Sequence, residues 1–180
     1  MTVYDLWLPI LCTGIATHIL STLAWTVMPH HRPEWNSLPC EDELQDFLAK
    51  KGVVPNQYIF PHAGDGSKVN TEEFKNKTAK SVGTLVIWPS PTNMLRSILQ
   101  TLIYFLVAAF VIGYLASLAL PAGAPFIKVF QFVMTAGLLA YVSANFPHVF
   151  WFRRRIAMEV LDGVVFALAA GLVFALLWPK

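Results

Sequence analysis

The stretch ILQTLIYFLVAAFVIGYLASLAL, residues 98–120, carries no charged side chain over a length that crosses a bilayer. A membrane-spanning helix needs about 20 consecutive apolar residues. Three similar stretches occur at residues 6–28, 126–146 and 160–178, and the only charged residues in all four are Lys128 and Asp162. In lipid every backbone amide needs an internal partner, so we expect these stretches to be helices.

The composition agrees with this prediction. Of 180 residues, 56% are hydrophobic and 13% are charged, whereas a soluble domain averages about 25% charged residues. Four buried helices of a soluble protein would carry more polar residues on their outer faces. A net charge of +2 is a weak basic footprint, so we expect no nucleic-acid partner. The sequence predicts an all-α membrane protein with four transmembrane helices.

The charged residues are concentrated between the first two predicted helices. Residues 29–97 hold 16 of the 24 charged side chains. We therefore divide the chain into a first transmembrane helix (1–28), an α+β insert (29–97), and a region with the remaining three transmembrane helices (98–180).

The distribution of lysine and arginine predicts the orientation, because these residues accumulate on the cytoplasmic side. The insert carries eight of them, and the segment 147–159 carries three consecutive arginines at positions 153–155. The opposite side carries only Lys128 and Lys180. We expect both termini to lie outside and residues 29–97 and 147–159 to lie in the cytoplasm.

The insert contains signals for two helices and two strands. Ser37-Leu-Pro39-Cys40, followed by the three acidic residues 41–43, favours a helix start, and Gly52 favours its end. Residues 57–61 and 83–89 are strand candidates, and Thr71 is a candidate cap of a second helix between them. The sequence leaves open whether the strands form a β-α-β arrangement or pair as in a hairpin.

Small residues recur at intervals of four on the predicted helices, and such residues let helix backbones approach closely in a membrane. They are Gly163, Ala167, Gly171 and Ala175 on the fourth helix, Ala109, Gly113 and Ser117 on the second, and Ala136, Ala140 and Ala144 on the third. One interpretation is packing within the bundle. The other is docking of a further subunit or a second copy of the chain.

Histidines form the first candidate site. His30 and His31 follow the first helix and His148 follows the third, so the predicted topology places all three at the inner interface near Asp162. Imidazoles with a carboxylate are good ligands for zinc, copper or iron. We consider a metal site formed by His30, His31, His148 and His62. The alternative is hydrogen bonding to lipid headgroups or loops, since no Cys-x-x-Cys or His-Glu-x-x-His spacing is present.

Two further candidates involve single polar features. His18 lies in the middle of the first predicted helix, where an ionisable residue usually faces the bundle interior or a partner; a haem or metal ligand is the alternative. The run Arg153, Arg154 and Arg155 is a topology signal that suits binding of anionic lipid. No Ser-His-Asp, paired-carboxylate or dinucleotide-binding pattern indicates an enzyme.

Several short motifs resemble a family of small bacterial four-helix integral membrane proteins with no known activity. They are Met28-Pro-His-His31, Leu38-Pro39, Tyr58-Ile-Phe-Pro61, Pro91-Thr-Asn-Met94 and Asp162-Gly-Val164. The resemblance implies a bacterial inner-membrane setting, in which the outer side is the periplasm.

The sequence favours a non-enzymatic accessory or structural subunit of a larger inner-membrane complex, because helix-packing signals outnumber catalytic ones. The first alternative is a metal- or haem-binding protein, with a redox role included. The second is a protein that binds anionic lipid or another small ligand. The bilayer and other membrane subunits or further copies of the chain are the expected partners.

Overall fold

A computed structural model describes residues 1–180, of which 68% are helical. The α-helices are α1 (Trp7–Thr26), α2 (Glu41–Lys50), α3 (Glu72–Lys80), α4 (Met94–Ala119), α5 (Phe126–Leu138), α6 (Asn145–Phe152) and α7 (Ala157–Leu176). The strands are β1 (Asn56–Phe60) and β2 (Gly83–Ile87). A 3₁₀ turn, Val3–Leu6, leads into α1, and a π-helical turn, Leu139–Ser143, joins α5 to α6.

Four helical segments are long and apolar enough to cross a membrane, as the sequence predicts. They are Val3–Thr26, Met94–Ala119, Phe126–Phe152 and Ala157–Leu176. The third consists of α5, the π-helical turn and α6, and it continues past the predicted end at residue 146 because its apolar character persists to Phe152.

Residues 1–36 and 93–180 form one compact unit, the helical bundle. Within it α7 packs against α5 and α1, and α1 packs against α4. Aromatic and branched side chains fill the interior, including Phe105 of α4, Val133 of α5 and Phe174 of α7. Helix α7 therefore touches both the first and the third apolar segment.

The outward face of α7 is apolar as well. Its exposed side chains include Leu161, Val165, Leu168, Leu172 and Leu176, which recur at helical spacing. A helix of a soluble bundle would place polar residues on this face. The pattern therefore suits a helix surrounded by lipid on one side and by protein on the other.

Ser37–Thr92, the compact part of the insert, forms the second unit. Its strands pair antiparallel, with Asn56 opposite Ile87 and Phe60 opposite Gly83, and α3 lies in the connection between them. The hairpin-like pairing is therefore the correct one of the two arrangements that the sequence allowed. As predicted, the Thr71 side chain caps α3 by accepting a hydrogen bond from the backbone N–H of Phe74 at 3.3 Å.

Candidate metal centre

Two histidines and one aspartate converge at the end of α1. His30 Nε2 lies 3.0 Å from Asp162 Oδ1, and His31 Nε2 lies 2.9 Å from Asp162 Oδ2. One ligand atom from each of the three residues lies within 4.8 Å of the others. His31 and Asp162 are buried and His30 is half-buried, so the cluster is largely shielded from solvent.

Local structure explains why these residues meet. Helix α1 ends at Thr26, and the chain then turns through Pro29 into a 3₁₀ turn, Arg32–Glu34. This turn folds the two histidines back towards the bundle. Asp162 comes from the second turn of α7, which packs against α1. The cluster thus links two segments that are more than 130 residues apart in sequence.

Two contacts fix the histidine-bearing turn. The Trp25 ring stacks on the His31 ring at a centroid distance of 3.8 Å and an interplanar angle of 7°. The guanidinium of Arg155 donates a hydrogen bond to the carbonyl oxygen of Pro33 at 2.6 Å. The stack restrains the plane of the His31 ring, and the arginine ties the turn to the segment that leads into α7.

Glu34 adds a second carboxylate to the cluster. Its Oε2 lies 2.7 Å from His31 Nδ1, so both nitrogens of His31 face a carboxylate. Burial lowers the pKa of His31, but the hydrogen bonds to Glu34 and Asp162 outweigh it, and the pKa is raised above its ordinary value. A neutral imidazole can donate only one of the two hydrogen bonds, so the cluster favours a positive charge at this position.

The donor set suits a divalent transition metal. Imidazole nitrogen suits zinc, copper, iron and nickel, and two histidines with one carboxylate form ligand sets of zinc and non-haem iron sites. The present distances between donor atoms match direct hydrogen bonds, and the same atoms are close enough to share one ion. Three protein donors leave at least one coordination position for water or a small ligand.

The other two histidines of the predicted metal site lie outside this cluster. His148 is exposed on α6, and its ring faces that of Phe152 at 4.9 Å. His62 is exposed in the turn after β1, within the insert. Of the predicted set, the structure brings His30 and His31 together and joins them to Asp162.

His18 is half-buried on α1, and its ring is tilted against the ring of Phe105 at 6.4 Å. Its Nδ1 is buried and makes no hydrogen bond. No second histidine joins it in a metal-ligand group.

The three arginines at positions 153–155 have different surroundings, although all are exposed. Arg153 ends α6 in the left-handed conformation, with φ of 49°. Arg154 donates to Glu159 at 2.7 Å, and Arg155 holds the turn at Pro33. Two of the three arginines therefore hold neighbouring parts of the chain, whereas the Arg153 side chain makes no hydrogen bond.

The small residues of the fourth predicted helix face the interior of the bundle. A Cβ added at Gly163 would lie 2.8 Å from the carbonyl oxygen of Tyr141, and one at Gly171 would lie 3.0 Å from that of Phe130. Ala167 and Ala175 are buried too. On the second predicted helix Ala109 and Gly113 are buried and Ser117 is half-buried; on the third, Ala136 is half-buried and Ala140 and Ala144 are exposed.

Glu34 is the functional candidate that sequence reasoning missed. The sequence signal for a contact between Glu34 and His31 is their separation of three residues, because residues three apart are neighbours in a helical turn. The sequence places Asp162 near the same interface, but only the packing of α7 against α1 makes it the group that joins the two histidines.

Comparison of the chain with models of protein families, with curated proteins and with solved structures finds no match.

Proposed function

We propose that this protein is an integral membrane protein that binds a divalent first-row transition metal between His30, His31 and Asp162. The observation that carries the proposal is the convergence of two imidazoles and a carboxylate, from opposite ends of the chain, within 4.8 Å. This is the metal-binding alternative of the sequence analysis, with Asp162 in place of His148 and His62.

The charges of the cluster support a bound cation. Asp162 and Glu34 bring two carboxylates into a largely buried site, and the only nearby partners shown are the two imidazoles. Buried charges are costly unless they are paired or coordinate a metal. A divalent ion would take the place of the positive charge that the metal-free cluster favours on His31, so that both histidines would bind it as neutral ligands.

The proposed setting is the bacterial inner membrane, with the cluster at the cytoplasmic interface. Four apolar segments support insertion in a bilayer. The excess of lysine and arginine in residues 29–97 and 147–159 supports the orientation.

The test is metal analysis of the full chain purified in mild detergent. After removal of metal with a chelator, Zn²⁺ and Co²⁺ are titrated separately and the bound ion is measured by mass spectrometry. We expect about one ion per chain. Asp162→Asn and the double variant His30→Ala/His31→Ala should lose at least tenfold in affinity, since each removes direct ligands.

His148→Ala and His62→Ala are matched controls, because they remove exposed histidines that lie outside the cluster. Both variants should bind Zn²⁺ and Co²⁺ with the affinity of the wild-type chain. Wild-type protein that holds less than a tenth of an ion per chain at saturating Zn²⁺ would overturn the proposal, and so would an Asp162→Asn variant with unchanged affinity.

We also propose a role as an accessory subunit, which the insert supports. The compact part of the insert, Ser37–Thr92, has no buried side chain, although α2 and the two strands carry large apolar residues such as Phe47, Ile59 and Val86. A two-stranded sheet of this size is marginal alone. A protein partner that covers these side chains would stabilise it.

Val86 offers a direct test, since it is exposed on β2. Val86→Lys should abolish co-purification of a stoichiometric membrane partner, whereas Val86→Ile, which keeps the surface apolar, should retain it. A natural chain that purifies as a lone monomer in every mild detergent would exclude the accessory role.

A further inference from the structure

We infer that Glu34 is a positioning residue of the metal site: it holds the His31 ring so that Nε2 faces the ion and Asp162. This inference rests on the proposed metal-binding function and adds to it a residue that would not touch the ion.

The geometry of an imidazole ring separates the two carboxylates. Asp162 meets His31 at Nε2, and Glu34 meets the same ring at Nδ1. These nitrogens lie on different edges of the ring. A metal bound at Nε2 is therefore beyond the reach of the Glu34 oxygen that bonds to Nδ1. Glu34 acts through the ring.

When a metal replaces the proton that Nε2 shares with Asp162, the hydrogen bond to Glu34 keeps the remaining proton of His31 on Nδ1. When Nδ1–H donates to a carboxylate, the neutral ring keeps its lone pair on Nε2. A carboxylate in this position also increases the basicity of the ligand nitrogen and fixes the ring orientation. The 2.7 Å distance and the buried environment make this a short, well-shielded contact.

The surrounding residues restrain the pair further. Glu34 and His31 lie three residues apart on one turn, and Arg155 ties this turn through the carbonyl oxygen of Pro33. Trp25 restrains the ring plane by stacking. Glu34 Oε1 is buried and has no hydrogen-bond partner, so nothing else in the fold uses this carboxylate. Its one interaction is the one with His31, which is the pattern expected of a positioning group.

The experiment compares Glu34→Gln and Glu34→Ala with the wild-type chain in the same Zn²⁺ competition and Co²⁺ titration. The amide keeps an acceptor without the charge, and alanine removes both. We expect an affinity loss of about 10-fold for glutamine and up to about 100-fold for alanine, the range for removal of a group that orients a metal ligand. The Co²⁺ absorption bands should shift, because the field of the His31 ligand changes.

Glu159→Gln is the matched control, since Glu159 lies near Asp162 on α7 and pairs with Arg154 instead. It should leave both affinity and spectrum unchanged. The thermal unfolding midpoint of each metal-free variant checks its folding. If Glu34→Ala is destabilised, the positioning role is judged from the Zn²⁺ affinity and Co²⁺ spectrum of Glu34→Gln.

The outcomes distinguish a failure of the proposed metal binding from a failure of the proposed role of Glu34. If the wild-type protein binds no metal, both the proposed metal-binding function and the positioning role of Glu34 are wrong. Wild-type binding together with Glu34→Gln binding of equal affinity and identical Co²⁺ spectrum would remove the positioning role alone.

Discussion

Asp162 shows how much the surroundings of one residue decide. In the sequence it is a single acid near the start of an apolar stretch, where it suits the positive end of a helix. In the fold it is buried and hydrogen-bonded to His30 and His31. The same carboxylate thus changes from a helix-terminus charge to the group on which the candidate site is built.

The neighbouring Gly163 carries the first prediction. In an exposed helix, alanine is favoured over glycine by about 0.5–1 kcal/mol. Here a Cβ would meet the Tyr141 carbonyl oxygen at 2.8 Å and the Val142 side chain at 2.7 Å. We expect Gly163→Ala to destabilise the bundle by about 1–3 kcal/mol, as overpacking does. Thermal unfolding in detergent measures this.

Gly66→Ala is the control for this prediction, because nothing lies within 4 Å of a Cβ at that position. It should leave the thermal midpoint unchanged. A Gly163→Ala variant as stable as the natural chain would show that α7 and the π-helical turn are less tightly packed than described.

At the level of elements, the sequence predicts what depends on local composition. The four apolar segments follow from the absence of charge, and α3 follows from Thr71 and the residues after it. The sequence does not predict the π-helical turn, in which Tyr141 and Val142 approach Gly163, a residue that is distant in the sequence. The pairing of β1 with β2 also depends on contacts between distant residues.

The cap of α3 gives the second prediction. Thr71→Ala removes the hydroxyl that accepts from the Phe74 N–H, a change that costs about 1 kcal/mol of helix stability. Amide hydrogen exchange should accelerate about fivefold in the first turn of α3. Thr78→Ala is the control, because the Thr78 hydroxyl only donates to the Phe74 carbonyl oxygen within the same helix. Equal amide exchange rates in the two variants would show that the Thr71 cap does not stabilise the first turn of α3.

At the level of the whole molecule, a metal in the cluster would join the end of α1 to α7. An ion that binds only the folded chain stabilises it by about 2.7 kcal/mol at a free concentration 100 times the dissociation constant. We expect saturating Zn²⁺ to raise the thermal midpoint by about 5–10 °C. Chelation should reverse the rise, and Asp162→Asn should abolish it. If Zn²⁺ raised the thermal midpoint of Asp162→Asn by a similar amount, the stabilising ion would bind at a different site.

The site was only partly predictable because its members come from opposite ends of the chain. The sequence makes His30 and His31 candidates from their place after the first helix, and the same argument applies equally to His148, with His62 as an additional candidate. Sequence position predicts which residues lie near the same ends of the apolar helices. It does not say which of them touch, since contact depends on which helices are neighbours.

The two cysteines test the orientation of the whole chain. Cys40 is exposed in the insert, and Cys12 is half-buried within α1. If residues 29–97 face the cytoplasm, as their eight basic residues predict, a membrane-impermeant maleimide should label Cys40 only after the cells are opened. In a Cys12→Ser/Cys40→Ser background, Lys180→Cys should react in intact cells, because the C-terminus is predicted on the other side. Labelling of Cys40 in intact cells, with Lys180→Cys protected, would contradict the predicted topology and place the cluster of His30, His31 and Asp162 at the opposite face of the membrane.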